Sequence, residues 1–223
     1  MDTFVRVEVR GGLNKKLAGE AIDNAISRMK KLAASPRTLP GPATQKVLKE
    51  SEQLKKLTNG AFDVKFEGGG KINLGGIAKG FIVDEGIKVL KEHGVKRALI
   101  NAGGDMYCMG EYKIGIRDPK DRRSVIATLS VCDKGIATSA AYERGTHIID
   151  PRTGRPVEKK FKSVTVIAET CMRADGLATA LYVLEPREGL SVIEGIDDTE
   201  CFIIDETGAT YVSSEFPRTH LTK

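Results

Sequence analysis

Residues 96–109 read Lys96-Arg97-Ala98-Leu99-Ile100-Asn101-Ala102-Gly103-Gly104-Asp105-Met106-Tyr107-Cys108-Met109. The run 96–101 has the composition of a strand, and so does 106–109, with only a polar double-glycine turn between them. A parallel crossover needs about a dozen connecting residues, so strands joined this tightly run antiparallel. Outward from this hairpin the same grammar predicts strands over 112–117, 125–131, 135–137, 146–149 and 163–168, with a closing hairpin over 201–212. Toward the N-terminus, 3–9 alternates as a strand, and short strands over 61–66 and 71–74 flank a glycine turn. Apolar residues at helical spacing predict helices over 14–33, 43–57, 77–93, 173–184 and 187–193. Strands outnumber helices and come in meander-like groups. The fold expected is therefore α+β, mostly antiparallel or mixed sheet with flanking helices, and not a doubly wound parallel sheet. One domain over 1–223 is expected, with a helical part at about 1–58 and a glycine-rich sheet part at about 59–223.

The chain has 223 residues, 40% apolar and 29% charged. That composition supports a buried core and excludes general disorder. No apolar run approaches the roughly 18 residues of a membrane span. Lys plus Arg minus Asp plus Glu is 35 − 30 = +5. The excess is scattered in pairs such as Lys30-Lys31 and Arg122-Arg123, which reads as a solvated surface. With no Trp and few aromatics for stacking bases, nucleic acid is not an expected partner. Cys108, Cys132, Cys171 and Cys201 lack metal or redox spacing and read as free thiols. With no leader visible at the start, they tilt the expected location to the cytoplasm, or to the periplasm or cell surface if a leader has been removed.

Four segments carry chemistry. In 73–84, Asn73-Leu74-Gly75-Gly76-Ile77-Ala78-Lys79-Gly80-Phe81-Ile82-Val83-Asp84, a double glycine opens a helix. Free N–H groups there favour an anion, and Lys79 adds a cation. The turn from Asn101 to Asp105 is a second polar glycine turn. Thr138-Ser139 precedes His147-Ile148-Ile149-Asp150-Pro151-Arg152-Thr153-Gly154, where His147 could take a proton near neutral pH. Asp175 and Thr179, at i and i+4, put a carboxylate and a hydroxyl on one helix face, hard donors suited to magnesium. Each segment also has a plain structural reading: a tight corner, a turn, a hydrogen-bonded histidine, a helix-start aspartate. Together they are equipment for attack on a phosphate ester or anhydride.

In this order, the motifs resemble those of the ApbE family of FAD:protein FMN transferases. The likeness rests on Leu74 to Gly80 with Asp84, the Asn101–Asp105 turn, Ala137-Thr138-Ser139, His147 to Gly154, and Ala174-Asp175 with Ala178-Thr179. The resemblance implies magnesium-dependent transfer of FMN from FAD to a Ser or Thr of an acceptor flavoprotein, with release of AMP. It implies metal ligation by Asp175, Thr179 and the carbonyl of Ala78, with His147 and Asp175 in catalysis. Gly75, Gly76, Lys79, Asp84, Asn101, Gly103, Gly104, Asp105, Ser139 and His147 would line the FAD site, with Met1 and Thr3 matching an N-terminal family motif. Alternatives are an FAD pyrophosphatase giving FMN and AMP, and a non-catalytic FAD-binding protein. Departures are Asn73 where Asp is usual, Phe81 for Tyr, Ala140 for Gly, Gly176 for Ala, and a shortened stretch over 29–49. The run Asp205-Glu206-Thr207-Gly208-Ala209-Thr210 resembles an acceptor sequence but is expected to be a hairpin turn.

Overall fold

The computed structural model describes residues 4–11, 13–34, 41–67, 71–121, 123–140, 148–157 and 161–221. The chain runs β1 (Val5–Val9), α1 (Lys15–Ala33), α2 (Gly41–Leu57), α3 (Ala78–Glu92), β2 (Ala98–Ala102), β3 (Asp105–Arg117) and β4 (Val125–Ala140). It continues β5 (Ile149–Asp150), β6 (Arg155–Pro156), β7 (Phe161–Ala168), α4 (Cys171–Val183), α5 (Pro186–Glu194), β8 (Glu200–Asp205), β9 (Thr210–Val212) and β10 (Arg218–Leu221). The main sheet has the order β1-β2-β3-β4-β7-β8-β9, with β10 also on β4, and its pairs are antiparallel. The α+β expectation holds.

Local chemistry explains the element ends. Asn14 Oδ1 accepts the Leu17 N–H at 2.9 Å and starts α1, satisfying one of the orphan donors of a helix N-terminus. Ala21, Ala25, Met29 and Leu32 then form its buried stripe. Pro186 opens α5 at a position where a missing N–H costs nothing.

The helices cover one face of the sheet. Phe81, Leu90, Ile100, Val166, Leu177 and Leu181 share that core. Leu99, Leu129, Ile136, Phe202 and Phe216 form a second cluster. The neighbours Ile100 and Leu99 fall in different clusters, as the period of two in a strand requires.

Several boundaries differ from the expectations. The paired short strands predicted on each side of residues 110 and 132–134 are single long strands, β3 and β4. Asp133, at φ +52°, and Gly110, at φ +77°, absorb the irregularity, and the Gly110 N–H donates to Asp133 Oδ1 at 2.8 Å. The strands predicted over 61–66 and 71–74 are not strands: Asp63 Oδ1 accepts the Lys65 N–H at 2.8 Å and turns the backbone aside. Ile149–Asp150 does not join the main sheet but pairs with Arg155–Pro156. The tight turn closed by Gly154 N–H to Asp150 O, 2.8 Å, folds it back on itself. The rest of the predicted strand 146–149 lies partly outside the described residues. Strand β10 was not foreseen.

The acceptor-like run is a hairpin turn between β8 and β9. Asp205 Oδ1 takes the N–H groups of Thr207 and Ala209, at 2.8 and 3.0 Å. Three cysteines are buried and Cys132 is exposed, all as free thiols. Burial pushes Cys108 and Cys201 up to about 12. Among the described residues, no helix is long and apolar enough to cross a membrane.

Candidate active site

The site is built where α3 and α4 begin. Residue Ile77 precedes α3 and has no side chain able to cap it. The missing acceptor comes from the other helix: Asp175, 1% exposed, accepts the Gly80 N–H on Oδ2 at 3.1 Å. The service is reciprocal. Asp84 of α3 accepts the Cys171 and Met172 N–H groups on its two oxygens, each at 2.9 Å. Thr170 Oγ1 takes the next donor of α4, the Arg173 N–H, at 3.2 Å. Each helix thus satisfies N-terminal donors of the other.

Close approach makes this exchange possible. A Cβ on Gly80 would sit 2.3 Å from Cys171 O, and one on Gly135 would sit 2.2 Å from Cys171 N. Only glycine fits between those backbones. Burial pushes the Asp84 carboxyl up to about 7, against the two N–H groups that hold it down.

The glycine turn ahead of α3 packs on the same face of α4. Asn73 Oδ1 accepts the Gly75 N–H at 3.0 Å, and its amide donates to Glu67 Oε1 at 3.0 Å. An Asn therefore makes the turn that the family's usual Asp could make, and gains a donor for Glu67. Thr179 Oγ1 donates to Gly76 O at 3.3 Å. A Cβ on Gly76 would meet Thr179 Cγ2 at 2.9 Å. Gly75, Gly76 and Thr179 line a cavity of about 470 Å³ whose apolar wall includes Phe62, Val64, Ile148 and Val183. That volume lies in the range of small-ligand sites.

On the other side of Ala78, Lys79 Nζ lies 3.1 Å from Asp105 Oδ2 and 3.5 Å from Gly103 O. Asp105 is fully buried, so the ammonium holds its charge in place. Gly103 and Gly104, at φ +59° and +95°, make a turn that side chains rarely tolerate. Asn101 Oδ1 fixes it by accepting the Gly104 N–H at 3.0 Å.

The structure thus gathers Gly75, Gly76, Asp175 and Thr179 on one side, and Lys79, Asn101, Gly103, Gly104 and Asp105 on the other, joined by Ala78. Ser139 is buried, and its Oγ has no hydrogen-bond partner among the described residues. Asp84 has both oxygens on α4 and holds the helix that carries Asp175. Met1, Thr3 and His147 lie outside the described residues.

The remaining departures are absorbed by packing. Phe81 is 1% exposed, with the Lys46 ammonium 5.4 Å from its ring centre. At Gly176, the space of a Cβ is taken by Leu54 Cδ1, 2.3 Å away. Ala140 is fully buried at the end of β4.

Among the described residues, no three His, Cys, Asp or Glu side chains gather as a metal cage. A cation at Asp175 would rest on one carboxylate with carbonyl and hydroxyl oxygens. Those hard donors suit magnesium, which keeps water and phosphate in its remaining positions.

Sequence reasoning missed the reciprocal capping and the apolar wall at Phe62 and Val64. One signal was present. Gly80 inside a helix costs about 1 kcal/mol relative to Ala, and so marks a close approach.

Comparison with known proteins supports the family and the fold. The model of the ApbE family matches residues 64–203. A FAD:protein FMN transferase of Klebsiella pneumoniae is 32% identical over 155 residues, which are 66% of this chain and 49% of that protein. One from Vibrio cholerae is 36% identical over 162 residues, 65% of this chain and 48% of that protein. The chain thus spans about half the length of these curated relatives. Among solved structures, the flavin transferase ApbE of Vibrio cholerae superposes with a TM-score of 0.80 at 26% identity, covering 97% of this chain and 95% of that one. The ApbE protein of Thermotoga maritima gives 0.77 at 26% identity, covering 95% and 94%.

Proposed function

The chain belongs to the ApbE family, and from that premise we propose that it moves the FMN half of FAD onto a Ser or Thr hydroxyl of an acceptor flavoprotein and releases AMP. The observation that carries this reading is the placement of Thr179 against the Gly75-Gly76 turn, its Oγ1 3.3 Å from Gly76 O, with Asp175 one helical turn earlier and fixed by the Gly80 N–H at 3.1 Å.

The reaction needs little covalent chemistry from the protein; positioning and charge stabilisation do most of the work. The acceptor oxygen forms a bond to the phosphorus on the FMN side of the pyrophosphate. The anhydride P–O bond breaks, and AMP leaves with the electron pair. His147 takes the hydroxyl proton; its neighbour Ile148 lines the 470 Å³ cavity. The glycine turn lets phosphate approach the backbone, and the Lys79–Asp105 pair holds the Gly103-Gly104 turn beside it. Asp175, Thr179 and the Ala78 carbonyl would hold magnesium, which when bound spreads the negative charge developing on the phosphate oxygens.

Incubation with FAD and magnesium, with and without a peptide carrying the pattern Asp-Gly-x-Thr-Gly-Ala-Thr, tests this. The expected result is AMP together with a peptide heavier by one FMN, both absent with chelator. AMP and free FMN regardless of peptide would make the protein an FAD pyrophosphatase. Bound but intact FAD in every sample would leave a binding protein.

A further inference from the structure

The main sheet ends in two outer strands, β1 and β9. Strand β9 has three residues, Thr210–Val212, whereas β1 has five, Val5–Val9. Among the described residues β1 pairs with β2 alone. Its far edge is open, and at its start Phe4 is 98% exposed and Val5 41%. An open strand edge is a template for another extended chain.

The hydrogen bonds show which residues of β1 face that edge. The Gly103 N–H donates to Phe4 O at 3.2 Å, and the Arg10 N–H donates to Arg97 O at 2.9 Å. In an antiparallel ladder, the residues that bond a given neighbour recur at every second position. Residues 4, 6, 8 and 10 therefore turn their backbone groups to β2. Val5, Val7 and Val9 turn theirs outward. The same alternation puts Arg6 and Glu8 on one face of the sheet and the three valines on the other, where Val7 and Val9 pack on the core beneath the helices.

This edge is complementary to itself. In an antiparallel pair centred on Val7, Val7 meets Val7 of a second copy and Val5 meets its Val9. These are the outward-facing residues, so each pair exchanges two N–H···O bonds. Arg6 then stands opposite the second copy's Glu8, and Glu8 opposite its Arg6, in the non-hydrogen-bonded pairs where side chains lie closest. Phe4 meets Arg10, a ring against a guanidinium. Other registers fail. A slip of one residue sets outward-facing backbone groups against inward-facing ones. A slip of two sets Arg6 against Arg6 or Glu8 against Glu8, and like charges directly opposite are destabilising. In the single chain Arg6 reaches Glu8 of its own strand at 2.6 Å. The charges thus select the register, while the backbone bonds and the covering of Phe4 and Val5 supply the attraction.

We propose that β1 is a dimer edge, at which two copies of this chain join antiparallel through Val5–Val9 about a two-fold axis at Val7, making one continuous sheet of their two main sheets. The pairing is independent of the FMN-transfer reading. An edge of five residues is a small interface, in the class below about 1,200 Å², so the dimer forms weakly and with rising concentration.

Sedimentation velocity of the full chain, from micromolar to millimolar concentration, tests this. The expected result is a monomer that converts to a dimer as concentration rises. Arg6→Glu sets carboxylates opposite each other across the axis, and Glu8→Arg sets guanidinium groups opposite each other. Each variant alone should need at least tenfold more protein to dimerise. An equimolar mixture of the two regains opposite charges at both positions and should dimerise at least as readily as wild type. Misfolding of either variant could not produce that rescue. Val7→Pro removes an outward N–H that β2 does not use, so it should abolish the dimer while the circular dichroism stays that of wild type. A monomer at every concentration, a dimer that survives Val7→Pro, or a mixture no better than its components overturns the pairing.

Discussion

Gly80 and Asp175 are joined by one hydrogen bond, N–H to Oδ2 at 3.1 Å, through which α4 supplies the cap that α3 lacks. The contact exists because Gly80 has no Cβ: one would lie 2.3 Å from Cys171 O and 2.8 Å from Met172 Cα. Gly80→Ala must push two backbones apart. The expected cost is about 1–3 kcal/mol of stability, read as a lower midpoint in thermal or urea unfolding, with loss of AMP release. Gly176→Ala is the control, since its Cβ meets the movable end of Leu54. It should cost under about 1.5 kcal/mol, and an equal loss in both variants would contradict the account.

Asp84 ties the same two helices from the opposite direction, and its carboxyl is raised to about 7 by burial. A carboxyl raised in the folded state stabilises fully below its unfolded value, near 4. That contribution is lost as pH rises through about 7. Wild-type stability measured relative to Asp84→Asn should therefore fall between pH 4 and pH 8. Parallel pH profiles for the two proteins would show that Asp84 does not titrate in this window.

How far could these relationships be read beforehand? The hairpin around Asn101–Asp105 and the double glycine before α3 were legible, because turn chemistry and periodicity are local. So were Asp175 and Thr179 as a pair, one helical turn apart. The reciprocal capping was not, since it joins residues 95 and 87 positions apart, Gly80 with Asp175 and Asp84 with Cys171. The family motif marks Asp84 as a site residue, but nothing local in the sequence shows that its two oxygens hold the start of α4. The strands predicted over 61–66 and 71–74 failed for a related reason. Their composition is strand-like, but the Asx turn at Asp63 spends the backbone differently.

Lys79 stands against a fully buried carboxylate, Asp105, at 3.1 Å. Removing the ammonium takes a charged partner from that carboxylate, and breaking a buried pair costs about 3–5 kcal/mol. Lys79→Met should be destabilised on that scale, and Lys79→Met/Asp105→Asn should recover more than half of the loss in the same denaturation experiment. Additive losses would mean that the two side chains are not coupled.

Thr179 offers a hydroxyl at the glycine turn, with its Oγ1 3.3 Å from Gly76 O. Thr179→Ser keeps the oxygen, and Thr179→Val keeps the shape. If the hydroxyl helps hold magnesium, the valine variant needs at least tenfold more magnesium for half-maximal AMP release, and the serine variant stays near wild type. The unfolding midpoint of Thr179→Val should move little, about 1 kcal/mol for one neutral hydrogen bond. Equal magnesium dependence in both variants would take Thr179 out of the metal site.

The central claim is that Asp175 serves the reaction and not only the helix pair. Asp175→Asn retains an oxygen for the Gly80 N–H but lacks the negative charge, so it separates these roles. The measurement is AMP release from FAD with magnesium, made on a variant shown by its unfolding midpoint to be folded. The account predicts release lowered at least a hundredfold with the fold intact. Release at the wild-type rate would contradict it.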